Sequence, residues 1–247
     1  MTSVLILAGQ RAGVVDPLCE AAGIARKALL PVRGIPQLDR VAAALEETGL
    51  ERPFHLSGLG EAREGFITAP EGDGPADSAW LALQTMDTPV LLTTADHPLL
   101  TAEMVTHFIE GAEATGADFC VGLATRDIIS TAYPDTKRTY LRFVDAHVSG
   151  CNLFYVSNPD ALKAIAFWRR AQSDRKRPLK LASHFGLAMV VQYLFGHLSL
   201  GGAFAHASRK LGITAAPVLM PFAEAAIDLD KPSDLDLIER ILDARAT

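Results

Sequence analysis

Pro89-Val90-Leu91-Leu92-Thr93-Thr94-Ala95-Asp96-His97-Pro98 is the stretch that decides the fold. Its apolar run has no polar face, the pattern of a strand covered on both sides in a parallel sheet. It runs straight into a carboxylate, Asp96, held before a proline. In open α/β sheets ligands bind beyond the carboxyl ends of strands, so Asp96 stands where a cleft opens. A carboxylate there suits Mg2+, a hard cation that shares oxygen ligands with phosphates. The plainer account is that Asp96 ends the strand by turn chemistry or caps the helix expected from Thr101 to Ala114. His97 reads as a hydrogen-bonding partner of its neighbours rather than as a catalyst.

Val4-Leu5-Ile6-Leu7 is a second run of the same kind, ended by Ala8-Gly9. A glycine at a strand end lets backbone approach a base or phosphate with no Cβ in the way, and successive N–H groups can make an anion nest. Arg11 and Lys27 would add positive charge there, although an ordinary turn with surface cations has the same pattern. The segment up to Lys27 reads as a loop. Helical spacing runs from Pro36 to Thr48, then a strand over Phe54–Ser57, a loop from Ile67 to Pro75 and a helix from Asp77 to Met86 with Asp77 or Ser78 as its cap. Further strands are expected at Phe119–Ala124, Tyr140–Val144, Asn152–Val156 and Pro217–Met220. Helices are expected at Pro159–Ala171 and at Ser233–Ala244, the last capped by Ser233. Strands alternating with helices predict an α/β protein whose parallel or mixed sheet is covered on both faces. The expected organisation is one domain over 1–247, with a helical insertion around 159–212.

Composition narrows the function classes. Of 247 residues 49% are hydrophobic and 21% charged, and the net charge is −6, so no global basic field points to nucleic acid. Cys19, Cys120 and Cys151 are scattered without paired spacing, which fits a reducing compartment and no structural zinc. The N-terminal apolar run is too short for a signal peptide, and no stretch is long enough to span a membrane; a cytoplasmic protein is expected. No GxSxG or HExxH supports a hydrolase, and neither GxxxxGK[ST] nor GxGxxG occurs.

Three more segments carry candidate chemistry. Ile227-Asp228-Leu229-Asp230-Lys231-Pro232-Ser233-Asp234 offers carboxylates on an extended stretch. Asp228 and Asp230 are expected to point to opposite sides, so that one of them completes a metal site with Asp96; Asp234 belongs to the first turn of the following helix. Gly72-Asp73-Gly74-Pro75-Ala76-Asp77-Ser78 is a small-residue loop entering a helix, where a base or an anion can sit, or simply a surface loop. Arg169, Arg170, Arg175, Lys176, Arg177 and Lys180 stand against only Asp174 and lead into an apolar segment with Tyr193, Leu194 and Phe195. That pattern fits peripheral contact with an anionic membrane or binding of an acidic acceptor, and equally a solvated helix end followed by core.

Leu7-Ala8-Gly9, the basic loop, Lys27-Ala28-Leu29-Leu30-Pro31-Val32 and then Gly34 and Pro36 resemble the start of the MobA-like NTP transferases, which usually carry LAGG-x-S-x-R followed by K-x-L. Thr94–Leu100 resembles their second signature, commonly GDMPF, and Asp228–Leu235 their closing DIDTPEDL. The family includes molybdenum-cofactor guanylyl- and cytidylyltransferases. Here Gln10-Arg11-Ala12-Gly13 replaces the second glycine and the serine-arginine pattern. The resemblance implies a GT-A-like (Rossmann-like) three-layer, mostly parallel sheet with helices on both faces. It implies that Leu7, Ala8, Gly9, Gln10 and Arg11 line the nucleotide site, that Lys27 contacts phosphates, and that Gly74, Ala76 and Ser78 lie near the base. Asp96 and Asp230 would share Mg2+, and Gly150 and Asn152 would meet a phosphorylated small-molecule acceptor. The implied reaction moves an NMP from an NTP, CTP or GTP, and releases pyrophosphate. A GT-A-type glycosyltransferase using Asp228-Leu229-Asp230 and a non-catalytic nucleotide-binding module are the alternatives.

Overall fold

The computed structural model describes residues 2–10, 16–174 and 186–246. In chain order its elements are β1 (Ser3–Leu7), α1 (Pro17–Ala22), β2 (Pro31–Val32), β3 (Ile35–Pro36), α2 (Gln37–Glu46), β4 (Phe54–Ser57), β5 (Phe66–Thr68), α3 (Pro75–Leu83), β6 (Val90–Thr94), α4 (Ala102–Thr115), β7 (Phe119–Thr125), α5 (Arg126–Ala132), β8 (Leu141–Arg142), β9 (His147–Val156), α6 (Leu162–Ser173), α7 (Leu187–Leu194), α8 (Leu200–Leu211), β10 (Ala215–Met220) and α9 (Pro232–Arg245). The chain divides into two compact units, Met1–His107 with Ile227–Thr247, and Phe108–Ala226.

The first unit is built on four parallel strands. β1 pairs with β6 (Leu5 opposite Leu92, Leu7 opposite Thr94) and with β4 (Leu5 opposite His55, Leu7 opposite Ser57), and β4 pairs with β5. Leu5, Ile6, Leu91 and Leu92 have no exposed surface, so both faces of the central strands are covered, as their unbroken apolar sequence requires. This register puts the ends of β1, β4 and β6 on one edge, and the residues just past them, Ala8-Gly9, Gly58 and Ala95-Asp96, open from it.

The second unit mixes directions. β10 runs parallel to β7, while β9 is antiparallel to both β7 and β8. The strand over Asn152–Val156 is longer than its sequence suggests because a register shift interrupts it: Gly150 faces Leu123 and Phe154 faces Val121. Asn152 takes a left-handed backbone, φ 52°, inside that bulge. Asparagine is among the few non-glycine residues that tolerate this conformation, and bulges break the strict alternation from which strands are read. Leu123, Val148 and Leu200 form a buried cluster here, with Phe143 and Phe204 against it.

Several expectations are corrected. Part of the predicted N-terminal loop is α1, capped by the Asp16 carboxylate, which accepts from the N–H groups of Leu18 and Cys19, with Pro17 at its first position. At six residues it is too short to show periodicity. The loop predicted from Ile67 begins as β5, three residues held by pairing with β4. α3 and α9 start earlier than predicted. Gly74 and Lys231 precede them, and Pro75 and Pro232 stand in their first turns, where a missing N–H costs nothing. Asp77, Ser78 and Ser233 are therefore inside their helices, not caps. Among the described residues of 159–212 the helices are α6 to α8. No described helix is long and apolar enough to cross a membrane.

Candidate active site

The cluster of candidate nucleotide and metal residues lies in the first unit, beyond the carboxyl ends of β1, β4 and β6. The β1 end is fixed by backbone bonding. The Ala8 N–H donates to Ser57 O at 2.8 Å and the Ala95 N–H to Leu7 O at 2.9 Å. Leu7 and Ala8 are thus occupied by the sheet and buried, and Gly9 and Gln10 are the first exposed residues of the loop. The sequence reading missed Gly58. It has φ +91°, and a Cβ on it would lie 2.5 Å from Gly9 Cα and Gly9 N. Only glycine fits both that conformation and that approach. The signal was present, since Ser57-Gly58 ends β4 as Ala8-Gly9 ends β1.

The loop returns to the site through two glutamine clamps. The Gln10 amide donates to Ala25 O at 2.8 Å and accepts from the Lys27 N–H at 3.1 Å. The fully buried Gln37 donates to Lys27 O at 2.7 Å. The Lys27 backbone is held on both sides, and the Gln10 side chain serves as a brace. Arg26 lies across the loop after β4: a Cβ on Gly60 would meet its guanidinium at 2.2 Å. Arg26 is a second cation at this edge that the sequence reading did not name. Arg11 lies outside the described residues.

Lys27 Nζ reaches Asp96 Oδ2 at 3.3 Å and Asp230 Oδ1 at 2.7 Å. Asp96 Oδ1 accepts from the Thr94 hydroxyl at 2.6 Å. The Asp234 carboxylate accepts from the backbone N–H groups of Asp230 and Lys231, both at 3.2 Å, and the Leu229 N–H donates to Asp96 O at 2.9 Å. The segment bearing Asp230 is therefore tied to the β6 end. Burial pushes the Lys27 ammonium down, but Asp96 and Asp230 outweigh it and hold the group above its ordinary value. It stays charged at neutral pH.

One carboxylate oxygen from each of Asp96, Asp228 and Asp230 lies within 4.8 Å of the others. The expectation that Asp228 and Asp230 point to opposite sides is wrong. Residues two apart share a side of an extended chain. Here Ile227 and Leu229 are the buried pair, with no exposed surface, and both aspartates take the other side. Three hard oxygen donors at this spacing fit a divalent cation of the Mg2+ type, which makes bonds of about 2.1 Å and shares its shell with phosphate and water.

Other predicted residues have more structural parts. Ala76 is fully buried, and the Ser78 hydroxyl accepts from the Gly72 N–H at 3.0 Å, bracing the loop before α3. Gly74 is extended, at φ −179°. By topology this loop comes after β5 and so leaves the same sheet edge as Gly9. His97 is buried, 1% exposed, and does not line the edge. Gly150 and Asn152 sit in the bulge of the second unit. Arg169 and Arg170 are exposed on α6, while Arg175, Lys176, Arg177 and Lys180 lie outside the described residues.

A parallel sheet with a glycine loop, a lysine and clustered carboxylates at its carboxyl edge defines a nucleotide-handling α/β protein of the GT-A-like class. The chain matches the model of the MobA-like NTP transferase domain over residues 4–192. It is similar to a hypothetical transferase from Thermus thermophilus, with 31% identity, a TM-score of 0.79 and coverage of 95% of this chain and 100% of the other. It also resembles the 2-C-methyl-D-erythritol 4-phosphate cytidylyltransferase of Thermus thermophilus (18% identity, TM-score 0.54, 97% and 98% covered). Molybdopterin-guanine dinucleotide biosynthesis protein A of Archaeoglobus fulgidus is a third likeness (13%, 0.53, 98% and 100%). At these identities the last two show the fold alone. No curated protein matches. The chain belongs to the MobA-like NTP transferase family and is a nucleotidyltransferase.

Proposed function

We propose that this nucleotidyltransferase moves an NMP from CTP or GTP to a phosphorylated small-molecule acceptor, with Mg2+ and with release of pyrophosphate. The observation that carries the reading is the meeting of Asp96, Asp228 and Asp230 within 4.8 Å around the Lys27 ammonium, beside the Gly9 loop. In the proposed reaction an acceptor phosphate oxygen attacks the α-phosphorus, the α–β phosphoanhydride bond breaks, and pyrophosphate leaves with its electron pair. Such a transfer needs alignment and charge neutralisation more than a nucleophilic side chain.

The chain's own groups fill those needs. The N–H groups of Gly9 and Gln10 face the phosphates, Gly58 keeps that edge open, and Lys27 with Arg26 draws off charge as it moves toward the leaving oxygens. Asp96, Asp228 and Asp230 would hold Mg2+, which when bound supplies further neutralisation of phosphate charge. Thr94 fixes the Asp96 carboxylate and Asp234 fixes the backbone of Asp230. Gly150 and Asn152 are proposed, on the family resemblance, as acceptor contacts, and Gly74 as a neighbour of the base. One fold neighbour is a 2-C-methyl-D-erythritol 4-phosphate cytidylyltransferase and another a molybdopterin-guanine dinucleotide biosynthesis protein, so the proposal covers both CTP and GTP.

The test is a pyrophosphate-release screen of four NTPs against sugar, polyol, cofactor and lipid-headgroup phosphates, with Mg2+ or with a chelator. Acceptor-dependent pyrophosphate that the chelator abolishes is expected. Nucleoside diphosphate released from nucleotide sugars would favour glycosyl transfer, and NTP binding without turnover of any acceptor a regulatory module.

A further inference from the structure

Two of the three carboxylates that the proposed metal would take are bound to a cation of the chain itself. Lys27 Nζ spans Asp96 Oδ2 and Asp230 Oδ1, and the Lys27 side chain keeps only 16% of its surface exposed. Its main chain is pinned by Gln10 and Gln37, so any motion belongs to the four-carbon stem, which is flexible and ends in a compact, freely rotating ammonium. One ammonium against three carboxylates leaves an excess of negative charge, but it stands on two of the three ligands.

We propose that Lys27 is a latch on the carboxylate cluster: in the free enzyme it competes with the divalent cation for Asp96 and Asp230, and a triphosphate opens the cluster by taking the ammonium away. The proposal rests on the reading of this site as a metal-and-nucleotide site. Its basis is electrostatic. A dication approaching the cluster meets the Lys27 charge within a few ångströms, in a partly buried setting where repulsion is screened less than in water. A triphosphate carries more negative charge than the two carboxylates Lys27 leaves, so it can exchange partners with the lysine without stranding a charge. Metal and nucleotide then load together, and in the unliganded enzyme Lys27 offsets part of the carboxylate charge. Thr94 and Asp234 keep Asp96 and Asp230 in place during the exchange, since neither of their hydrogen bonds involves Lys27.

The experiment reads metal binding without turnover. Mn2+ alone is titrated into the full-length protein, into Lys27→Met and into Lys27→Arg, and free Mn2+ is followed by electron paramagnetic resonance with no nucleotide present. Lys27→Met should bind Mn2+ at least about tenfold more tightly than wild type, about 1.4 kcal/mol, and Lys27→Arg should stay as weak as wild type. Circular dichroism checks the fold, and Lys27→Gln replaces the methionine variant if that one unfolds. Equal Mn2+ affinity in wild type and Lys27→Met overturns the latch, and if the acceptor screen still yields pyrophosphate, the transferase reading survives it. Failure of Lys27→Met to bind Mn2+ at all, with its fold intact, removes the metal site and the latch together.

Discussion

The carboxyl edge of the first unit and the bulge-and-helix region of the second are built on different principles. At the edge, short polar side chains are each fixed by a partner: Thr94 holds Asp96, Asp234 holds the Asp230 backbone, and Lys27 joins the two aspartates. In the second unit the segments around β8 and α7 leave large apolar chains in the open. Leu141, Val144, Val191, Leu194 and Phe195 are between 41% and 74% exposed, and Tyr193 joins the two segments by packing on Phe143 and accepting from the Arg142 N–H. A preorganised polar edge does chemistry because its groups have already given up their freedom. An apolar surface with few fixed partners is where a protein meets something else. The two regions should therefore respond differently to mutation.

The largest effect is expected at Asp96. Asp96→Asn should cut turnover about a thousandfold, the upper range for losing a preorganised charge at the reacting centre, with thermal stability nearly unchanged. A variant that keeps a tenth of the activity would remove Asp96 from the chemistry. Next come Asp228→Asn and Asp230→Asn, each expected to lose about ten- to a hundredfold. Their similarity is the sharper point, because the two residues share one side of the chain. Full activity in Asp228→Asn beside a dead Asp230→Asn would reinstate a two-carboxylate site.

A third prediction concerns stability. Gly58→Ala should lower it by about 1–3 kcal/mol, the cost of a strained backbone, and more if the Gly9 loop cannot yield. Gly9→Ala meets Gly58 Cα at an ordinary 3.7 Å and should leave the melting temperature almost unmoved. Equal melting temperatures for the two would show that the loops are not in contact.

The edge also has a pH signature. Lys27 is held above the ordinary lysine value of 10.5. A raised folded-state value means that the ion pair contributes its full stability below pH 10.5 and loses it as the pH climbs past the folded-state value. The stability difference between wild type and Lys27→Met should be flat from pH 6 to 9 and change only above about 10.5. A change between pH 7 and 8 would mean that Lys27 is not paired.

The smallest effects belong to the second region. Leu194→Ser and Phe195→Ser should shift stability by no more than about 0.5 kcal/mol and leave pyrophosphate release intact. Co-sedimentation with anionic vesicles at low salt, where surface attraction is strongest, tests the membrane contact suggested by the basic run. Retention that both substitutions reduce would support it, and no retention would reject it.

Much of the edge was legible because buried parallel strands leave unbroken apolar runs, and the residues after each run land at one edge. β1 and β6 were readable in this way, and with them the placement of Gly9 and Asp96; β4, Phe54-His55-Leu56-Ser57, was expected as a strand but has no unbroken apolar run. Lys27 and the Asp228-Asp230 pair were candidates from their own segments, but the choice of Asp230 over Asp228 came only through the family pattern, since nothing local ties positions so far apart in sequence. Asp228 was misassigned by miscounting the alternation of an extended chain. Gln37 and Gly58 act through tertiary contact, which the sequence carries only as a buried amide on a helix and a glycine at a strand end. The bulge at Asn152 hid part of β9 because an inserted residue erases the period that marks a strand.

The most direct test of nucleotidyl transfer tracks the phosphorus. With the NTP and acceptor that the screen selects, label at the α-phosphate should appear in the acceptor product, label at the γ-phosphate should leave as pyrophosphate, and Asp96→Asn should slow both about a thousandfold. Transfer of γ-label to the acceptor, or α-label transfer undiminished in Asp96→Asn, would contradict the account.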